Sequence, residues 1–220
     1  GLRSNLNVYP TDKQLIEQNI SNDNTNLDAL SNKAAKGFPA IDYLINNGTD
    51  SLVLSQFESN QRINYLQKVV EDLDAKVSHV QQEWNSYQTT FKNATGSDIG
   101  SSLGMLINAL NQHLERYFRD GKIGSPIGIR SSGIALPDNA EAYYGEFSFE
   151  LIQANFSALK EIYSGKSSFG LDDYLIDAGA ADLNDLINSQ MNIIESKINQ
   201  FSGSMPDAIQ SKNSELNETY

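Results

Sequence analysis

Large apolar side chains recur along much of the chain at alternating spacings of three and four. The longest run is Ile63, Leu66, Val70, Leu73, Val77, Val80, Trp84, Tyr87 and Phe91, a spacing that keeps all nine on one stripe of an α-helix. A helix over residues 59–93 would be roughly 50 Å long at ~1.5 Å per residue, the scale of a helical bundle. Ser97 is placed to cap a second helix with Ile99, Leu103, Leu106, Leu110, Leu114 and Tyr117 on one face and Gly121 at its end. The turn over 94–97 is short, so this helix is expected to run back along the first. Phe149, Ile152, Phe156, Leu159 and Tyr163, closed by Gly165, predict a third helix. Leu183, Ile187, Met191, Ile194, Ile198 and Phe201, closed by Gly203, predict a fourth, and a weaker one follows Pro206. Such stripes need partners, and packing them on one another predicts an antiparallel four-helix bundle over about 59–202.

The N-terminal part reads as shorter helices. Thr11 followed by Gln14 has the capping-box pattern and starts a helix carrying Leu15, Ile16 and Ile20. A second piece covers roughly residues 27–35. In KGFPAIDYLI, Gly37 breaks the chain, Pro39 suits a first helical turn, and Phe38, Ile41, Leu44 and Ile45 form a short apolar face. The predicted class is therefore all-α. Residues 1–57 form part of a second helical bundle, and 58–220 form the four-helix-bundle domain. Residues 121–145 are interrupted by glycines, Pro126 and Pro137, which excludes a regular helix over most of that length. Ile123, Ile127, Ile129, Ile134 and Leu136 within it predict an ordered segment packed along the bundle. A second glycine-punctuated linker over 164–180 contains the short amphipathic piece LDDYLID.

Charge narrows the partners. With 28 acidic and 16 basic side chains, the formal charge is −12, which disfavours nucleic acid and anionic membrane surfaces. The absence of cysteine excludes disulfides and thiolate chemistry. No apolar run is long enough for a membrane span, and the opening residues read as the continuation of an upstream segment. His79 and His113 lie on different predicted helices without a zinc-like partner spacing, and are expected to be surface or bundle-edge residues. The glycines of GKIGSPIG lack the lysine and hydroxyl of a phosphate loop. The five N-x-S/T sequons, Asn19 and Asn155 among them, are expected by chance in an Asn-rich chain.

Two places stand above this background. Asp42 follows Pro39 by three residues and shares its helical face. It is either a solvated acid near a helix N-terminus, which the helix dipole favours, or part of a site. Arg130 is the one guanidinium in the irregular segment, with Glu141, Tyr143 and Tyr144 following. It either pairs structurally with Glu141 or contributes to a pocket with it.

The blocks NVYPTDKQLIEQNI, KGFPAIDYLI and RSSGIALPDNAEAYYGEFSFE, with the long helix NYLQKVVEDLDAKVSHVQQEWNSY between them, resemble the imelysin-like proteins, iron-regulated bacterial envelope proteins once classed as peptidases. The resemblance extends over nearly the whole chain and implies two helical bundles with a site at their interface. The family motif is G-x-H-x-x-E. Here it reads Gly37, Phe38, Pro39, Ala40, Ile41, Asp42, so proline stands for the histidine and aspartate for the glutamate. By position, the resemblance carries the site to Gly37, Pro39, Asp42, Arg130, Glu141 and Tyr144. It implies a protein of the bacterial periplasm or outer-membrane surface, attached through a lipid anchor outside this chain. The expected activity is binding of a small ligand, iron or haem species in uptake. Iron or another divalent metal is the cofactor the family suggests. Because proline carries no ring nitrogen to ligate a metal or move a proton, peptidase activity is not expected. A metallopeptidase and a structural module of the envelope remain the alternatives.

Overall fold

The computed structural model describes residues 2–220. The protein is all-α, with no strand among the described residues. In chain order the helices are α1 (Arg3–Leu6), α2 (Lys13–Ser21), α3 (Gly37–Asn46), α4 (Asp50–Gln56), α5 (Asn60–Asn93), α6 (Ser102–Gln112), α7 (Ser148–Ser164), α8 (Leu171–Asp177), α9 (Ala181–Ile198), α10 (Met205–Ser211) and α11 (Asn213–Thr219). A 3₁₀ segment, Leu30–Ala35, precedes α3, and a π-helical stretch, His113–Gly124, continues α6. Two compact units emerge. The first holds the chain up to Ala109 together with Asp138–Glu146, and the second holds Leu110–Pro137 and Phe147–Tyr220.

In the first unit, α2 is capped by Asp12, whose carboxylate accepts from the Leu15 N–H at 3.0 Å. Thr11, the expected cap, instead donates its hydroxyl to the Ala34 carbonyl at 2.8 Å. Ile16, Ile20, Leu27, Ala35, Ala40, Tyr43, Leu44, Tyr65 and Val69 form one core. The first half of α5 thus packs with the N-terminal helices, and the boundary expected at 57/58 is not where the contacts divide.

The buried face of α5 is Arg62, Tyr65, Val69 and Leu73. It is turned by one residue from the predicted stripe, whose Val70 and Val77 are 49% and 51% exposed. Polar anchors set that register. The Tyr65 hydroxyl donates to the Ala35 carbonyl at 2.7 Å and accepts from the Asn19 amide at 3.2 Å, while Arg62 pairs with Glu17 at 2.9 Å. Counting apolar positions does not register these partners. Asn19, the first of the sequons, is itself buried there.

Beyond Leu73, α5 buries nothing fully, and Trp84, Tyr87 and Phe91 contact one another with ring centroids 5.5 to 6.5 Å apart. The expected reversal occurs: the Ser102 hydroxyl donates to the Phe91 carbonyl, and the Tyr87 hydroxyl points to the Met105 sulfur at 3.6 Å. The turn runs further than expected. Ser101, not Ser97, accepts from the Gly104 N–H at 3.0 Å, and Ile99 is exposed.

In the second unit, the α7 line Phe149, Ile152, Phe156, Leu159 and Tyr163 is buried as predicted, and Gly165 ends it in the left-handed conformation at φ +64°. Phe118 packs on Phe156 and Phe149 stacks on Phe201, with centroids 5.6 and 5.2 Å apart. Gly121 does not stop the preceding helix, which continues to Gly124. Within the irregular segment, Ile123 and Ile127 are buried, whereas Ile129, Ile134 and Leu136 are exposed, so only its start packs as expected. On α9, Ile198 and Asn184 are buried and Leu183 is half exposed, because the Tyr163 hydroxyl donates to Asn184 at 2.7 Å and draws that polar position inward.

Candidate functional site

Gly37 opens α3 at φ +78°, and a Cβ there would stand 2.2 Å from the Leu6 carbonyl oxygen. The end of α1 lies against the start of α3 so closely that only glycine fits. Pro39 is buried in the first turn, where its missing N–H costs nothing. One turn on, Asp42 is 7% exposed. Its Oδ2 accepts from the Tyr144 backbone N–H at 2.9 Å. Its Oδ1 accepts from the Gly145 N–H at 2.8 Å and from the Asn46 side-chain amide at 2.9 Å. Asp42 is neither a solvated acid nor an open ligand. It fastens the returning segment Asp138–Glu146 onto α3.

Where that segment meets α2 and α3, a cleft with about 70 Å³ of room opens among Tyr9, Pro10, Thr11, Lys13, Pro39, Asp42, Asp138, Ala140, Ala142, Tyr143 and Tyr144. Tyr144 is wedged edge-on between two rings, Tyr43 and Tyr143, each with its centroid 5.1 Å away. Burial, followed by the nearby Glu141 carboxylate, pushes the Tyr9 phenol up to about 12, with Arg3 opposing. Burial and then Asp138 raise both Tyr143 and Tyr144. These phenols stay protonated near neutral pH, so they offer O–H donors and ring faces rather than phenolate oxygens. Glu141 is buried and accepts from the Asn7 amide at 2.6 Å.

Of the residues expected from the sequence, Pro39, Asp42 and Tyr144 line the cleft, while Gly37 and Glu141 support its walls. Arg130 is a correction. It belongs to the second unit, where its Nε and Nη2 donate to Asp120 at 3.2 and 2.8 Å, and it pairs there rather than with Glu141. That pairing, above the smaller contribution of the Tyr220 hydroxyl at 2.5 Å, holds the Asp120 carboxyl below its usual range. Sequence reasoning missed Tyr9, Lys13 and Asp138 as cleft residues. Each falls in one of the blocks that carry the family resemblance, and that position was the only available signal.

A divalent metal at the family motif is not matched by the residues present. Pro39 has no donor, and both oxygens of Asp42 are committed to N–H groups. Among the described residues, no three His, Asp or Glu side chains gather as a metal-binding group. His79 is exposed, and a His113 ring nitrogen lies 2.9 Å from the Asn155 side-chain oxygen.

No curated protein and no solved structure matches the chain significantly. The sequence model of the imelysin peptidase family matches residues 2–218. By that match over almost its full length, with the motif glycine required by the fold and the motif carboxylate turned to holding the cleft wall, this chain belongs to the imelysin family.

Proposed function

We propose that the chain is a ligand-binding member of its family, acting at the bacterial cell envelope in the uptake of an iron-bearing or related small ligand, without peptidase activity. The observation that carries this reading is the commitment of Asp42 to three hydrogen bonds beside Pro39. Hydrolysis by the family's metal chemistry requires open ligands and an activated water. A carboxylate that serves as a structural anchor supplies neither, yet the cleft it shapes is lined by polar groups and ring faces. The size of the cleft favours a small ligand over haem, since a pocket enclosing a drug-sized molecule measures roughly 300 to 1,000 Å³.

The purified protein is expected to hold no stoichiometric divalent metal by elemental analysis and to show no chelator-sensitive proteolysis. Tightly bound zinc or iron together with chelator-sensitive cleavage, both lost in Asp42→Asn, would return the metallopeptidase reading to first place.

A further inference from the structure

Resting on the reading that the cleft is the binding site, we infer that its ligand is a small zwitterion, an amino-acid-like molecule carrying an ammonium and a carboxylate on a short aliphatic body. Two side chains of opposite charge line the cleft without forming an ion pair. Asp42 already accepts three hydrogen bonds, and Glu141 accepts from Asn7 and is not among the lining residues. The charged side chains still available to a ligand are Lys13 and Asp138, both exposed and both lining the cleft. Neither forms a salt bridge, with the other or with any described residue.

Two opposite charges around about 70 Å³ of shared room that do not neutralise one another suit a guest able to bridge them. A simple anion would meet Lys13 but be repelled by Asp138, and a simple amine would face the reverse. A bare metal ion would find a single free carboxylate, too few hard donors for a stable site. A zwitterion satisfies both ends. Its ammonium sits by Asp138, beside the Tyr143 ring that lines the same cleft, a setting that cation–π attraction favours. Its carboxylate turns to Lys13, and its aliphatic body lies against Pro10, Pro39, Ala140 and Ala142. The available volume limits that body to a few carbons.

The test is an NMR titration of the full chain with L-alanine, and in parallel with alanine methyl ester, which lacks the carboxylate, and propionate, which lacks the ammonium. L-alanine is expected to shift the Tyr143, Tyr144 and Lys13 amides and to bind more tightly than either half-ligand. Lys13→Gln is expected to weaken alanine about tenfold while leaving the ester unchanged, and Asp138→Asn to weaken alanine and ester alike. Neither substitution touches the Asp42 anchor, and unchanged melting temperatures would establish that both variants fold. Equal affinity for alanine and its ester, or indifference of alanine binding to both variants, would overturn the inference. So would the absence of any shift at tens of millimolar alanine. If the same cleft amides then respond to ferric citrate, the zwitterion is excluded while the proposed function stands. If chelator-sensitive proteolysis is found instead, the proposed function fails on its own evidence.

Discussion

Asp42 shows how a single side chain can exchange one role for another without leaving its place. A carboxylate at this motif position has the reach to meet the Tyr144 and Gly145 amides, and once it does, each of its oxygens accepts from backbone. Asp42→Ala leaves buried donors unpaired, at a cost of about 1 to 3 kcal/mol per group. The variant is expected to melt several degrees lower, with hydrogen exchange accelerated selectively at the Tyr144 and Gly145 amides. A uniform acceleration over the whole first unit would contradict the local role. The tyrosines make a second prediction at this scale. Tyr9 and Tyr43 are raised from about 10 to about 12, Tyr43 by burial and its hydrogen bond to Glu17. Their protons are held more tightly in the folded state, so the stability they contribute is intact below about pH 10 and is lost as pH rises towards 12. Phenolate absorbance is expected to place Tyr9 and Tyr43 among the late-titrating tyrosines, released together with loss of structure. The sequence made Gly37, Pro39 and Asp42 conspicuous but did not reveal their partners, because Leu6 and Gly145 lie far from them along the chain.

At the scale of elements, periodicity located helices well and their buried faces unevenly. The α7 stripe is buried residue for residue, with Phe156 against Phe118, Phe149 against Phe201, and Tyr163 reaching a polar partner, Asn184, through its hydroxyl. The α5 stripe is not, because Arg62 and Tyr65 are held inward by Glu17, Asn19 and Ala35, partners from segments that a local pattern does not include. No apolar stripe marks helix α4, whose Leu52 and Leu54 are exposed, and the π-helical stretch passes through Gly121 to end at Gly124. Leu73 and Val77 separate the two descriptions of α5, for both lie on the predicted stripe and only Leu73 is buried. Leu73→Asp is expected to cost several kcal/mol by burying an unpaired carboxylate, and Val77→Asp less than about 1 kcal/mol. Comparable losses of melting temperature in both variants would restore the predicted register.

For the whole molecule, the order of residues along the chain and the membership of the two units do not coincide. The chain leaves the first unit after Ala109, contributes Leu110–Pro137 to the second, and returns for nine residues, Asp138–Glu146, before leaving for good. Those nine residues carry one wall of the cleft and the two amides that Asp42 binds. During synthesis, therefore, Asp42 emerges about a hundred residues before its partners, and closing so long a loop is a late, entropically costly step. Until it closes, Asp42 lacks two of its three donors, a transient imperfection written into the order of the chain. A fragment ending at residue 109 is expected to retain helical circular dichroism yet melt at a lower temperature. A synthetic peptide of residues 138–146 added in trans is expected to restore part of that loss in the fragment with Asp42 and none in its Asp42→Ala counterpart.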